Sequence, residues 1–150
     1  MGQKMKFKVT GIGDGMRSDS VAGKHKIALD EPVSMGGKDS AIDPLSTLLA
    51  ALLGCENVMA QLIAKEMDFD LQGISFKVEG DLDPSGLMGN LDIKPYFEQV
   101  IVKAFIDTSE SQERINELQA AVDLRCPVFR TLKDAGIPIE NRWEKTTVLV

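Results

Sequence analysis

The sequence predicts an α+β fold built as one domain over residues 1–150. Three patterns carry that prediction. Segments of period-two alternation, such as Val100, Val102, Ala104 and Ile106, come in pairs. A long apolar segment with three-and-four spacing lies between the pairs. Two shorter helical patterns then precede a last alternating segment. The order strand, strand, long helix, strand, strand, helix, helix, strand fits antiparallel-type strand pairs around helices, not a doubly wound parallel sheet. With 150 residues, 43% hydrophobic and 27% charged, the chain can bury a substantial core.

Taken in order, residues 5–10 alternate Phe7 and Val9 with lysines, and residues 21–29 alternate His25, Ile27 and Leu29 with Lys24, Lys26 and Ala28. Both predict strands. Between them, Gly11-Ile12-Gly13-Asp14-Gly15-Met16-Arg17 predicts a turn-rich connection. Its glycines lack GxGxxG spacing and no helix pattern follows, so a phosphate loop is rejected. Residues 30–42, with Pro32, Gly36 and Gly37, predict a loop. Asp43 then reads as an N-cap and Pro44 as the first residue of a helix running to about Glu66. Its stripe of Leu48, Leu52, Cys55, Met59 and Leu62 predicts a central helix buried on most sides. Strands are expected at about 73–81 and 96–107, with a loop at 83–90. Ser109 and Gln112 read as a capping box for a helix over 110–124 that buries Ile115, Leu118 and Val122. Cys126 and Pro127 open a short helix closed by Gly136, and a final strand covers 138–149.

A net charge of −6 leaves no broad basic surface for nucleic acid. The N-terminus has no apolar signal region, and the longest apolar run, near Leu48–Leu53, is too short to span a membrane. A cytoplasmic protein is expected. Two cysteines and one histidine cannot assemble a four-ligand zinc site, and no cofactor is expected. His25, between Lys24 and Lys26, reads as a surface residue and not as the base of a Cys–His protease.

The two cysteines hold the chemistry. Cys55 lies in the long helix pattern and Cys126 at the start of a short one. One thiol attacking and the other resolving is a redox reading; two buried structural thiols is the alternative. Leu52, Met59, Phe129 and Met16 are candidate walls of an apolar pocket, or plain core.

Three segments carry a family resemblance: Gly15-Met16-Arg17; Gly36-Gly37-Lys38-Asp39 through Asp43-Pro44-Leu45 to Gly54-Cys55; and Cys126-Pro127-Val128 with Arg130-Thr131-Leu132. In order and spacing the chain resembles the OsmC/Ohr family, the osmotically inducible and organic hydroperoxide resistance proteins. The resemblance implies an intertwined homodimer of OsmC/Ohr-like fold around a long central helix, with the active site at the subunit interface. It implies a peroxidatic Cys55, a resolving Cys126, and Arg17 beside the reactive sulfur. It also implies a hydroperoxide substrate and a dithiol or lipoyl-type reductant. Where the family carries a glutamate that holds the arginine, this chain has Leu45 and Ser46. Glu56 is then the first acidic candidate for that duty and Asp43 the second. The departure sustains an alternative: an OsmC-like redox sensor or small-molecule binder with little turnover.

Overall fold

The computed structural model describes residues 2–146. The chain forms two compact units, one up to Leu48 and one from Leu49 onward.

The first unit is a three-stranded antiparallel sheet of β1 (Thr10–Asp14), β2 (Arg17–Ala22) and β3 (His25–Leu29), in that order. This corrects the sequence reading. Gly11–Asp14 is strand, not connection, and residues 21–29 hold the end of one strand, a turn and the next strand. Gly11 and Gly13 leave β1 without side-chain alternation, so its period was invisible. Both hairpin turns put glycine first, Gly15 at φ 60° and Gly23 at φ 61°, the position that type II′ turns give to glycine. The expected strand over residues 5–10 is absent except at Thr10. Its alternation is real, but a strand needs a partner for its ladder, and Phe7 stands 85% exposed. Beyond β3, the loop carries a 3₁₀ turn at Val33–Met35 and an isolated bridge from Leu29 to Ile42.

Helix α1 (Pro44–Glu66) starts as expected. The Asp43 carboxylate accepts from the Ser46 N–H at 2.8 Å, which satisfies one of the donors that a helix start leaves open. The buried face differs from the apolar stripe: it runs through Leu52, Glu56, Ala60, Ile63 and Ala64. Val58 and Leu62, one turn apart, stand exposed, so in the single chain α1 is not buried on most sides. By length and composition α1 is also the one helix among the described residues that could cross a membrane; its buried face belongs to the core of the second unit.

The second unit carries β4 (Gly73–Asp81), β5 (Gln99–Asp107) and β6 (Ile139–Lys145), with β5 central. β4 and β5 pair antiparallel, Gly73 opposite Asp107. β6 pairs parallel to β5, Val100 opposite Ile139, against the antiparallel-type expectation. The cause is the helical crossover of α3 (Gln112–Arg125) and α4 (Pro127–Asp134), which returns the chain to the end where β5 began. A short helix, α2 (Pro84–Leu87), occupies the expected 83–90 loop. The cap of α3 is Ser111, which accepts from the Arg114 N–H, and not Ser109. Ser109 donates to Asp70 instead, and Gln112 donates to the Trp143 carbonyl at 2.8 Å. The last part of the expected final strand, residues 147–149, lies outside the described residues.

The core fills the space between the sheet and the helices. Val100, Val102, Ala104 and Ile106 point one way from β5, and Ile115, Leu118 and Val122 meet them from α3. Each large side chain buried here contributes about 1.5–3 kcal/mol.

Candidate active site

Cys55 and Glu56 are consecutive on α1, and Cys126 joins α3 to α4. The backbone fixes Cys126 from both sides. Its N–H donates to the Val122 carbonyl at 2.8 Å, ending α3, and its carbonyl accepts from Arg130 at 2.9 Å, starting α4. Pro127 suits the first helical position because its missing N–H is not needed there. Cys126 is wholly buried and Cys55 partly so, both against the same hydrophobic core. Both thiols are free, and Cys55 is near enough to Cys126 to act on its ionisation. Burial, then the neighbouring Cys55 thiol, push the Cys126 thiol up to about 12, against a weaker pull downward from the Phe129 N–H.

Glu56 is 0% exposed. Asn141 on β6 donates to its Oε1 at 2.8 Å and also to Asp123 Oδ1 on α3 at 2.6 Å. Trp143 Nε1 donates back to Asn141 Oδ1 at 2.9 Å, which fixes the amide's orientation. The second carboxylate oxygen, Oε2, is buried with no hydrogen-bond partner. Burial raises the Glu56 carboxyl to about 7, and it raises Asp123 as well. Leu52 and Phe129 are core residues, and Met59 is a partly buried residue packed against that core.

Arg17 is held within the first unit. Its Nε and NH2 groups grip Asp19 at 2.9 and 2.8 Å, and NH1 donates to Ser40 Oγ at 2.9 Å. Asp19 therefore takes the arginine-holding duty that the sequence reading gave to Glu56 or Asp43; Glu56 is committed to Asn141, and Asp43 to Ser46. Behind Ser40 stands Asp30, only 2% exposed. It accepts from Ser40 Oγ and from the backbone of Glu31, Lys38 and Ser40, and these bonds hold its carboxyl down at about 2. Met16, Arg17, Asp30, Gly36 and Ser40 line a cleft of about 190 Å³. The cleft depends on Gly37, where a Cβ would lie 1.9 Å from the Glu31 carbonyl oxygen.

The structure thus places Cys55 and Cys126 in the core of the second unit, with Glu56 buried on the same helix as Cys55 and bonded to Asn141, while every hydrogen-bond partner of Arg17 belongs to the first. Sequence reasoning missed Asp19, Asp30, Ser40, Asp123 and Asn141. Only Asp19 left a local signal: residues two apart on a strand share a face, so Arg17-Ser18-Asp19 could be read as a pair. Among the described residues, no three His, Cys, Asp or Glu side chains gather as a metal ion would require, and His25 lies exposed on β3.

Comparison with known proteins agrees with this architecture. No curated protein sequence matches the chain. An OsmC-like protein from Mycoplasma pneumoniae superposes with a TM-score of 0.80 at 21% identity, covering 99% of each chain. A Legionella pneumophila organic hydroperoxide resistance protein OsmC gives 0.75 at 18% identity over 95% of this chain and 99% of its own. The organic hydroperoxide resistance protein OhrB of Bacillus subtilis gives 0.64 at 18% identity, over 93% and 98%. The profile of the OsmC-like protein family matches residues 37–142, most of the chain, and the protein belongs to that family.

Proposed function

We propose that the protein is a thiol-dependent peroxidase that reduces organic hydroperoxides to alcohols. The observation that carries the reading is that the chain's only two cysteines, both free, pack into one core and interact although they come from different elements. The Cys55 thiolate attacks the peroxide O–O bond; the sulfur becomes a sulfenic acid, and the alkoxide leaves and is protonated to the alcohol. Cys126 then condenses with the sulfenic acid, giving a disulfide and water. A dithiol of the lipoyl type reduces the disulfide by exchange. Arg17 is the cation we assign to the Cys55 thiolate, because it stays charged and offers several donors. Relatives of the same fold described as organic hydroperoxide resistance proteins support the substrate class.

We assign a homodimer to the working protein. Val58 and Leu62 on α1 are exposed apolar side chains, and Met5, Phe7 and Val9 form a strand pattern without a strand partner. Free thiols suit a reducing, cytoplasmic setting. A second reading, a redox sensor or binder with little turnover, draws on the deep burial of Cys126 and on Leu45 and Ser46 at the family's glutamate positions.

The test is mass spectrometry after adding cumene hydroperoxide to wild type, Cys55→Ser and Cys126→Ser. Wild type is expected to form the Cys55–Cys126 disulfide, Cys126→Ser to hold a trappable sulfenate, and Cys55→Ser to do neither. Oxidation of wild type no faster than a free thiol's would leave the sensor or binder reading.

A further inference from the structure

We propose that Ser40, locked by the buried carboxylate of Asp30, is a positioning residue that orients the Arg17 guanidinium for the Cys55 reaction; this rests on the peroxidase reading above. A hydroxyl can donate and accept, and it rotates to suit its neighbours. At Ser40 that rotation is settled. An ionised carboxylate only accepts, so Ser40 Oγ donates to Asp30 Oδ2, at 2.6 Å. The Oγ lone pairs are then left for Arg17, whose NH1 donates to them at 2.9 Å. Asp30 cannot turn away. It is 2% exposed, and the Glu31, Lys38 and Ser40 N–H groups hold it at 2.8, 3.3 and 3.0 Å. The same bonds keep it ionised down to about pH 2, so it remains an acceptor at any working pH.

The guanidinium is therefore pinned on two sides. Asp19 takes Nε and NH2, and Ser40 takes NH1. Asp19 alone would be a poor anchor. Its side chain is 61% exposed and lies two residues along the same strand, so the ion pair can swing as one body. Ser40 is 23 positions away and tied to a buried acid, which stops the swing. NH2 carries two N–H groups; one goes to Asp19, and the other has no partner among the described residues. Arg17 is 38% exposed at the cleft it shares with Met16 and Ser40, so that donor faces open space. On the peroxidase reading this is the donor left for the Cys55 thiolate, and a fixed orientation is what makes such a donor effective.

The experiment measures the rate of Cys55 oxidation by cumene hydroperoxide, by rapid quench and mass spectrometry, in wild type, S40A, S40T, D30N, R17A and the R17A/S40A double variant. S40A removes the hydroxyl but keeps the Ser40 backbone bond to Asp30, so the loop retains its anchor. S40A should slow oxidation about fivefold, and D30N at least as much. S40T restores the hydroxyl at an exposed position and should return the rate to within about twofold of wild type. In the R17A background, S40A should change the rate by less than about twofold, because its effect passes through the guanidinium. A wild-type rate in S40A, or the same loss from S40A with and without Arg17, would overturn the role of Ser40 and leave the peroxidase reading intact. A wild-type rate in R17A would overturn the assignment of Arg17, and the role of Ser40 with it. A wild type that forms neither sulfenate nor disulfide would instead overturn the peroxidase reading itself.

Discussion

The Arg17 cluster and the Glu56 cluster are two polar networks built to opposite rules. Around Arg17 and Asp30 every carboxylate meets charge-assisted or backbone donors, and the Asp30 carboxyl is driven down to about 2. Around Glu56 the carboxylates share one asparagine amide, no cation donates to Glu56, and its carboxyl is driven up to about 7. The first network fixes a loop and an arginine in one ionisation state. The second holds a buried carboxyl near the point of switching. Hydrogen-bond satisfaction thus separates an acid locked in one ionisation state from an acid near the point of change more clearly than residue type does, since both networks centre on acids.

Substitutions at three positions test this contrast. The largest expected effect is Gly37→Ala. Its Cβ would meet the Glu31 carbonyl at 1.9 Å, with no flexible side chain to yield. A loss of about 3–5 kcal/mol by denaturant unfolding is expected, at the upper end for single changes. A loss below about 1 kcal/mol would mean that the loop around Asp30 is not the rigid scaffold described.

Next is Glu56→Gln, read as stability rather than rate. The folded-state carboxyl titrates at about 7, above its ordinary 4.5, so the folded state binds the proton more tightly than the unfolded chain does. Stability falls as pH rises between those values. The penalty is absent below about pH 4.5 and complete above about pH 7, reaching about 3 kcal/mol. Glu56→Gln should therefore be more stable than wild type at pH 8 and about equal to it at pH 4. Equal stability at both pH values would show that Glu56 is not held near its switching point.

The smallest effect is expected for Arg17→Ala and Arg17→Lys. Oxidation of Cys55 by cumene hydroperoxide should slow by about tenfold in both, because lysine does not reproduce the forked grip on Asp19. An unchanged rate would confine Arg17 to the scaffold.

Much of the fold was legible. The Asp43-Pro44 start of α1, the limits of β4 and the three buried residues of α3 follow from capping chemistry and periodicity. The glycine-rich β1 hid its period, and the direction of β6 depended on how α3 and α4 cross, which alternation does not encode. Of the candidate site, the cysteines stood out by type, and Arg17 only through the family resemblance. The Glu56 network did not, because Asn141 is 85 positions away and looks like any strand residue. Glu56 itself was named from the sequence, as an acid for Arg17, but its bond to Asn141 was not.

The indole that steadies Asn141 belongs to the chain's single tryptophan. It is almost wholly buried, stacked edge-on against Phe76 with ring centres 6.1 Å apart. Its emission therefore originates one hydrogen bond from the amide that holds Glu56. Titration of that carboxyl should alter the ultraviolet fluorescence without any attached label. The protein carries its own optical readout of the Glu56 network.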